Sequence, residues 1–263
     1  MRRYGRLLAK SLLHRLGYEV RRARPVTDID YAAALSVSES EYYTEWSSPC
    51  PLFSPWMADP DFREIYRSAE PYSIVPRERC HTLVSLARHT AHLNGDVAEC
   101  GVYKGGTALM LCRVLANAGK KLYLFDSFTG LPKGHPEVDR WFREGQFAVD
   151  SVESVKGLLT DYQSIVEIRK GWIPETFAGL ETNRYAMAHI DVDLYQSALD
   201  CCEYFYPRLV PGGILLFDEY GFAAARGEKD AVDKFFADKR ESPIVLLTGQ
   251  AFVVKLPPAG QDL

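Results

Sequence analysis

The chain has 263 residues, 47% of them hydrophobic and 25% charged, with a net charge of −4. These values are typical of a soluble globular protein of enzyme size, with one α/β domain and extensions or at most two small domains. The net negative charge gives the whole chain no electrostatic basis for nucleic-acid binding.

The first 24 residues are basic and amphipathic. Eight arginines and lysines face a single acidic residue, Glu19, and leucines recur between them at helical spacing. We expect a surface helix whose leucines pack on its own domain or on a partner subunit; the alternative is a helix that lies on an anionic membrane. The apolar stretch is too short and too charged for a membrane span or a signal-peptide core. We therefore predict a cytoplasmic protein. If the helix lies on a membrane instead, the protein would be peripheral to the inner face of that membrane.

Six cysteines show no C-x-x-C pair and no zinc-like spacing. We expect them to be buried as small hydrophobic residues, and nothing in their arrangement indicates an oxidising compartment.

Helices and strands alternate from residue 77 onwards, after a Pro- and Tyr-rich stretch over 25–70 in which we expect loops and short helices. The predicted strands are 96–100, 121–126, 164–171, 185–191 and 214–219, followed by IVLLT and AFVVKL as a hairpin-like pair. The predicted helices include 77–93, TALMLCRVLANAG, SVESVKGLL, 195–206 and GEKDAVDKFFADKR. This alternation predicts a doubly wound α/β sheet, mostly parallel, with one antiparallel strand at the edge.

Polar residues follow the first two strands, where ligands bind in such a sheet. Glu99 opens a glycine-rich turn, GVYKGG, that is neither G-x-G-x-x-G nor a P-loop. An acidic residue there suits a cationic group such as an ammonium or a sulfonium, and Asp126 is placed to accept the ribose hydroxyls of an adenosine-containing cofactor. This order of residues favours S-adenosylmethionine (SAM) over NAD; in the alternative, both carboxylates cap helices.

A second group of carboxylates follows two later strands. Asp191, Asp218 and Glu219 converge without a balancing Lys or Arg, which predicts a cation among them, Mg²⁺ or else Mn²⁺ or Ca²⁺. We expect Asp193 to cap the next helix and His189 to be a hydrogen-bonded core residue. The loop 129–150 is long enough to be a lid.

Five stretches resemble one family, the macrocin O-methyltransferase (TylF-type) family. They are DVAECGVYKGGTALM (96–110), LFDSFTGLP (124–132), KGWIPETF (170–177), HIDVDLYQSALD (189–200) and PGGILLFDEYG (211–221). The similarity runs from about residue 72 to the C-terminus. The resemblance implies a Rossmann-like, seven-stranded class I SAM methyltransferase domain over 72–263, with residues 1–71 as an N-terminal helical and loop extension that covers the substrate.

The resemblance also implies the site residues. SAM would be held by Glu99, Gly101, Tyr103, Gly105, Asp126 and Ser127, with Gly171 and Trp172 near the adenine. Asp191, Asp218 and Glu219 would bind the metal, and Asp191 would accept the hydroxyl proton. One departure is that the family usually has two adjacent aspartates where this chain has Asp218 and Glu219, so Glu219 is also a candidate for supporting the ligands from behind.

The predicted function is SAM- and metal-dependent O-methylation of a sugar hydroxyl on a small molecule or a glycan, by an enzyme that forms homo-oligomers. The alternatives are a catechol-type methyltransferase that acts on an aromatic diol and a SAM-binding accessory protein without catalysis. A dehydrogenase is disfavoured, because the first turn lacks the dinucleotide glycine spacing.

Overall fold

A computed structural model describes residue 56, residues 59–149, residues 151–258 and residue 260. The predicted basic helix of residues 1–24, with its proposed membrane or subunit contact, and Cys50 lie outside the described residues. The predicted boundary between residues 71 and 72 stays a prediction.

Six α-helices and seven β-strands are found in the described segments. The helices are α1 (Pro60–Ala69), α2 (Arg77–Thr90), α3 (Gly106–Leu115), α4 (Val152–Leu158), α5 (Tyr195–Phe205) and α6 (Arg226–Phe236). The strands are β1 (Asp96–Cys100), β2 (Leu122–Asp126), β3 (Val166–Lys170), β4 (Tyr185–Ile190), β5 (Leu209–Phe217), β6 (Ile244–Val245) and β7 (Ala251–Val254).

The seven strands form one sheet in the order β3-β2-β1-β4-β5-β7-β6. The first five are mutually parallel, and β7 runs antiparallel between β5 and the short outer strand β6. This confirms the predicted doubly wound sheet with one antiparallel strand near its edge. The strand order reverses between β1 and β4, which places the ligand-binding crevice at the ends of these two strands.

Both faces of the sheet are covered, because successive side chains of a strand point to opposite faces. On β1, Val97 packs into a core shared with α1, α2 and α3, while Ala98 packs into a second core shared with α5 and α6. Phe62 of α1 is fully buried in the first of these cores. Residues 60–69 therefore fold onto the sheet.

The strand β5 is longer than predicted. It begins at Leu209, five residues before the predicted start at residue 214, and includes the Pro211–Gly213 stretch. The pairing with β4 shifts register there, from Tyr185 opposite Leu209 to Met187 opposite Ile214. A bulge absorbs the extra residues, and a bulge is a position at which a strand tolerates proline.

The five cysteines that the structure describes are free and buried, as predicted for these positions. Among the helices of the described segments, none has the length and hydropathy needed to cross a membrane.

Candidate active site

A cavity opens at the carboxyl ends of the five parallel strands. Its wall includes residues that follow β1, β2, β3, β4 and β5, together with residues 72–75, Arg79 of α2 and parts of the loop 127–149. Of the predicted site residues, the cavity wall contains Gly101, Tyr103, Asp126, Ser127, Gly171, Trp172, Asp191 and Glu219. Glu99, Gly105 and Asp218 lie behind this wall.

Asp126 holds the glycine-rich turn in place. Its Oδ2 accepts hydrogen bonds from the backbone N–H groups of Val102, at 2.7 Å, and Tyr103, at 2.9 Å. Its Oδ1 accepts from the backbone N–H of Phe128 at 2.6 Å. A carboxylate offers about four acceptor positions, so these three bonds leave capacity for a ligand hydroxyl on the cavity side.

The glycines of this turn are required by close packing. Gly101 has φ +88°, and a Cβ there would lie 1.8 Å from the backbone oxygen of Asp191. Gly105 also has a positive φ, precedes α3 as its N-cap residue, and packs against Val155 of α4. Gly101 thus brings the ends of β1 and β4 together, while Gly105 shapes the start of α3 from behind the cavity.

The other predicted cofactor residues are placed around Asp126. The hydroxyl of Ser127 donates to the backbone oxygen of Gly130 at 2.8 Å, which tightens the turn after β2. Gly171 donates its N–H to the backbone oxygen of Asp126, and the neighbouring Trp172 side chain is 44% exposed at the cavity. An exposed indole beside the β2 and β3 ends offers a flat surface for a ring.

Glu99 lies near the end of β1, inside the sheet. Its side chain is fully buried, and Oε1 lies 3.0 Å from Nδ1 of His189, its neighbour across the β1–β4 pair. Its second oxygen, Oε2, has no hydrogen-bond partner. The carboxylate therefore pairs with an imidazole inside the sheet and does not line the cavity.

His189 is a core histidine, as predicted, and it connects two carboxylates. Its Nε2 lies 3.5 Å from Oδ1 of Asp218, opposite the contact with Glu99. Burial by itself lowers the pKa of His189, but the hydrogen bonds and negative charges of Asp218 and Glu99 outweigh it and raise the pKa to about 10. His189 is therefore a cation in the neutral pH range.

Arg79 of α2 is the cation that the sequence analysis missed. Its Nη1 donates to Oε1 of Glu219 at 2.6 Å and lies 3.2 Å from Oδ2 of Asp218. Its guanidinium also lies over the ring of Phe222, 4.8 Å from the centroid. The expectation that these carboxylates lack a balancing Arg is therefore wrong: the partner lies 140 positions away in the sequence.

Asp218 is held by protein groups on several sides. Its Oδ1 accepts from Nε2 of Gln250 at 2.6 Å, and the side chain also contacts His189 and Arg79. Burial would raise the pKa of Asp218, but these neighbours outweigh it and lower the pKa. Asp218 is an ionised carboxylate at the back of the site.

The predicted metal ligands fall into two groups in the structure. One group of nearby donors consists of His189, Asp191 and Asp218, but a protonated His189 has no lone pair for a metal ion. The other group consists of Asp191, Asp193 and Glu219. Asp191 belongs to both groups, whereas Asp218 and Glu219 are separated. All three members of the second group line the cavity.

Asp193 is a site residue and not the helix cap that we expected. Its φ is +62°, an uncommon backbone conformation for a residue other than glycine, and its side chain lines the cavity. No side chain of the preceding turn caps α5. The first N–H of the helix, that of Tyr195, instead donates to Asp139 Oδ1 at 3.1 Å. The only sequence signal was the second aspartate of HIDVDLYQ, which fits a cap equally well.

Crowding of negative charge raises the affinity of the cavity carboxylates for protons. Burial, followed by the charges of Asp218 and Asp193, raises the pKa of Asp191 well above its usual value. Burial and the charges of Glu219 and Asp218 raise the pKa of Asp193 to about 7. A general base is most effective when its pKa lies near the pH of the reaction, and the pKa of Asp193 lies there in neutral solution.

The sequence model of the macrocin O-methyltransferase (TylF) family matches residues 61–248. A tetracenomycin rhamnosyl 4'-O-methyltransferase of Streptomyces olivaceus is 36% identical over 157 residues, which cover 54% of this chain and 58% of the relative. Mycinamicin III 3''-O-methyltransferase of Micromonospora griseorubida is 29% identical over 191 residues, 62% of this chain and 72% of the relative. The chain thus spans less than two thirds of the first relative's length.

Solved structures show the same fold. The O-methyltransferase NovP is 25% identical with a TM-score of 0.62, over 71% of this chain and 83% of that one. A Bacillus cereus O-methyltransferase, solved with S-adenosylhomocysteine (SAH), has a TM-score of 0.51 at 15% identity, over 75% of this chain and 91% of that one. The second likeness concerns the fold alone.

Proposed function

This chain belongs to the macrocin O-methyltransferase (TylF) family, and on that premise we propose that it transfers the methyl group of SAM to a hydroxyl group of a sugar. The observation that carries the proposal is the composition of a single cavity. Asp126 and the glycine-rich turn line one side, and the acidic group of Asp191, Asp193 and Glu219 lines the other. A cofactor and an acceptor hydroxyl would meet between these two sides.

For the cofactor, the support comes from Asp126 and its surroundings. The carboxylate has about one acceptor position left for a ribose hydroxyl, and Trp172 offers a surface for the adenine. Tyr103, Ser127, Gly101 and Gly171 would complete the cofactor wall. Glu99 would not touch the cofactor, since it is paired with His189 inside the sheet.

For the acceptor, Asp191 would take the proton of the reacting hydroxyl. The oxygen then forms a bond to the methyl carbon as the bond between this carbon and sulfur breaks, and SAH leaves. Asp191 is placed for this step by its position on the cavity wall, beside Asp193 and Glu219. The cavity walls would hold this oxygen in line with the bond between the methyl carbon and sulfur.

A divalent cation fits this site by the chemistry of its donors. Asp191, Asp193 and Glu219 place three carboxylates on the cavity, and hard oxygen ligands of this kind suit Mg²⁺, Mn²⁺ or Ca²⁺. A bound ion would supply Lewis acidity that lowers the pKa of the acceptor hydroxyl. Asp218, the third ligand expected from the sequence, is already engaged by Gln250 and would support the site from behind.

The test is transfer of radiolabelled methyl from SAM to a panel of deoxysugar glycosides, with and without EDTA. We expect labelled glycoside with the wild type, and a loss of about 100-fold or more for Asp191→Asn. Glu203→Gln, an exposed substitution on α5, is the matched control and should keep full activity.

Other outcomes have definite meanings. Methylation of a catechol but of no glycoside would replace the sugar acceptor by an aromatic diol. SAM binding by calorimetry without transfer to any acceptor would favour the non-catalytic alternative. If Asp191→Asn transferred methyl groups at the wild-type rate in EDTA, neither Asp191 as the proton acceptor nor the divalent cation could be upheld. The homo-oligomer and the cytoplasmic location stay predictions for gel filtration and cell fractionation.

A further inference from the structure

Asp139 lies in the middle of the loop 127–149, yet it is only 3% exposed. Its Oδ2 accepts from the backbone N–H of His135 at 2.7 Å, a bond within the loop. Its Oδ1 accepts from the backbone N–H of Tyr195 at 3.1 Å, 56 positions further along the chain. A single buried carboxylate thus joins this loop to the first turn of α5.

This contact replaces a missing local cap. The first N–H groups of a helix have no partner within the helix, and an acidic side chain at that end stabilises it. The residue at the N-cap position of α5 is Leu194, whose apolar side chain cannot accept such a bond. Because Asp139 supplies the acceptor, Asp193 is left with its side chain in the cavity.

Two glycines make the close approach of the loop feasible. A Cβ at Gly227, in the first turn of α6, would lie 1.8 Å from Asp139 Oδ1. A Cβ at Gly134 would lie 2.6 Å from the Cβ of Asp139 and 3.2 Å from Cδ2 of Leu194. The loop is therefore packed against the beginnings of both α5 and α6, and a larger residue at either glycine would displace it.

The same loop forms part of the cavity wall through Leu131, Pro132 and Phe147. It closes on itself, since Leu131 N–H donates to the oxygen of Gln146 at 2.8 Å and Gly145 N–H donates to the oxygen of Leu131 at 2.9 Å. A shift of its anchor would move this wall as a unit. Asp139 also contacts the start of α5. This helix directly follows the turn that carries Asp191 and Asp193.

We propose that Asp139 is a positioning residue for methyl transfer, which fixes the loop wall of the cavity against the turn 191–194. It does so through Tyr195 and His135, and it is not among the residues that line the cavity. The proposal rests on the proposed function, because the turn matters through the proton acceptor that it carries.

The experiment compares Asp139→Ala with Asp139→Asn, and uses the exposed loop substitution Glu137→Gln as the control. Asp139→Ala should lower kcat about 10- to 100-fold and raise the acceptor KM, because small misplacements near a reacting centre have effects of this size. Asp139→Asn keeps one acceptor oxygen for one of the two N–H groups and should fall between Asp139→Ala and wild type. SAM affinity, measured by calorimetry, should change less than about threefold, since the bonds of Asp126 to Val102 and Tyr103 lie outside the loop.

Hydrogen exchange separates a positioning role from general instability and does not need activity. Asp139→Ala should accelerate exchange in residues 127–149 and at the start of α5, with strands β1 and β4 unchanged. Faster exchange throughout the sheet, or unchanged kcat and KM in an active enzyme, would overturn the proposal. If the wild type methylates no acceptor, the proposed function fails, while the exchange pattern still decides whether Asp139 anchors the loop.

A double-mutant cycle with Gly227→Ala gives a second test that does not depend on Asp139→Ala alone. The added methyl group would push the carboxylate off Tyr195, so Gly227→Ala should reproduce the kinetic and exchange effects of Asp139→Ala. The added Cβ would also lie 2.9 Å from the backbone nitrogen of Tyr195, a clash that remains in the double variant. In the Asp139→Ala background, Gly227→Ala should therefore still lower kcat, but by less than in the wild type, because the contact with the carboxylate is already lost. Fully additive losses would show that the two residues act separately and would contradict the proposal.

Discussion

Arg79 and Glu219 form a close ion pair, with 2.6 Å between Nη1 and Oε1, and the same guanidinium lies 3.2 Å from Asp218. Arg79 is only 6% exposed, so its positive charge acts on the two carboxylates at low effective dielectric. The side chain of Glu219 reaches this guanidinium. The acidic pair after β5 is thus partly neutralised by the protein itself.

Replacing Arg79 should therefore be costly. Arg79→Met leaves Asp218 and Glu219 without this partner, and we expect unfolding free energy to fall by about 3–5 kcal/mol at neutral pH. Urea unfolding measures the change. The control is Arg88→Met, which removes a half-exposed pair with Asp59 and should cost at most about 1 kcal/mol.

The same variant tests cation binding without an activity assay. Because the acidic group gains net negative charge in Arg79→Met, added Mg²⁺ should raise its unfolding midpoint more than that of the wild type. Equal Mg²⁺ responses of the two proteins would contradict a divalent-cation site beside Glu219.

Asp126→Asn should weaken SAM binding at least tenfold. The amide keeps one acceptor oxygen, while its NH₂ group faces backbone N–H donors that the carboxylate now satisfies. Calorimetry gives the affinity, and a thermal melt reports any loss of fold.

Asp96→Asn provides the matched control for this change. Asp96 also accepts a backbone N–H bond, from Lys121 at 2.9 Å, but it lies at the opposite end of β1. It should leave SAM affinity unchanged. Equal losses in the two variants would assign the effect of Asp126→Asn to folding.

Asp193→Asn should separate stability from activity. The amide tolerates the same positive φ and removes one negative charge from a crowded acidic group, so stability in EDTA should rise by about 1 kcal/mol. Methyl transfer should fall at least tenfold, because a carboxylate of the cavity is lost. A variant that is both less stable and fully active would show that Asp193 serves the fold alone.

Glu241 should give a clear pH signature far from the site. It accepts from the Tyr206 hydroxyl at 2.7 Å and from the Leu256 N–H at 3.0 Å. Burial would raise its pKa, but these bonds outweigh it, so the pKa in the folded protein lies below the usual value of 4.5. Its contribution to stability is therefore full above about pH 4.5 and is lost as the pH falls through the lowered pKa.

The variant Glu241→Gln measures this contribution. It should be less stable than the wild type at pH 7 by about 1–2 kcal/mol, with the difference shrinking in acid. Urea unfolding at pH 7 and below pH 4 gives both values. A difference that grows as the pH falls would contradict the assignment.

Local sequence patterns predicted most of the secondary structure. Apolar runs, glycines and prolines located all seven strands, and Asp126 could be placed at a strand end because strand and turn are adjacent in sequence. Glu99 shows the limit of this reasoning: the sequence placed it at the correct strand end, but its contact with His189 depends on the neighbouring strand. A side chain can pair with one on the adjacent strand, and the sequence of one strand does not show which partner the other strand brings.

The sequence by itself determined a doubly wound sheet and the strand ends at which carboxylates collect, because both follow from periodicity within short segments. Only the tertiary structure decided which carboxylates face the cavity and which are neutralised. Arg79 meets Glu219 across 140 positions, and Asp139 caps α5 across 56, so that Asp193 is free to line the cavity. Such partners are selected by the packing of α2 and the loop 127–149 onto the sheet, since contacts at this range depend on where folded elements meet.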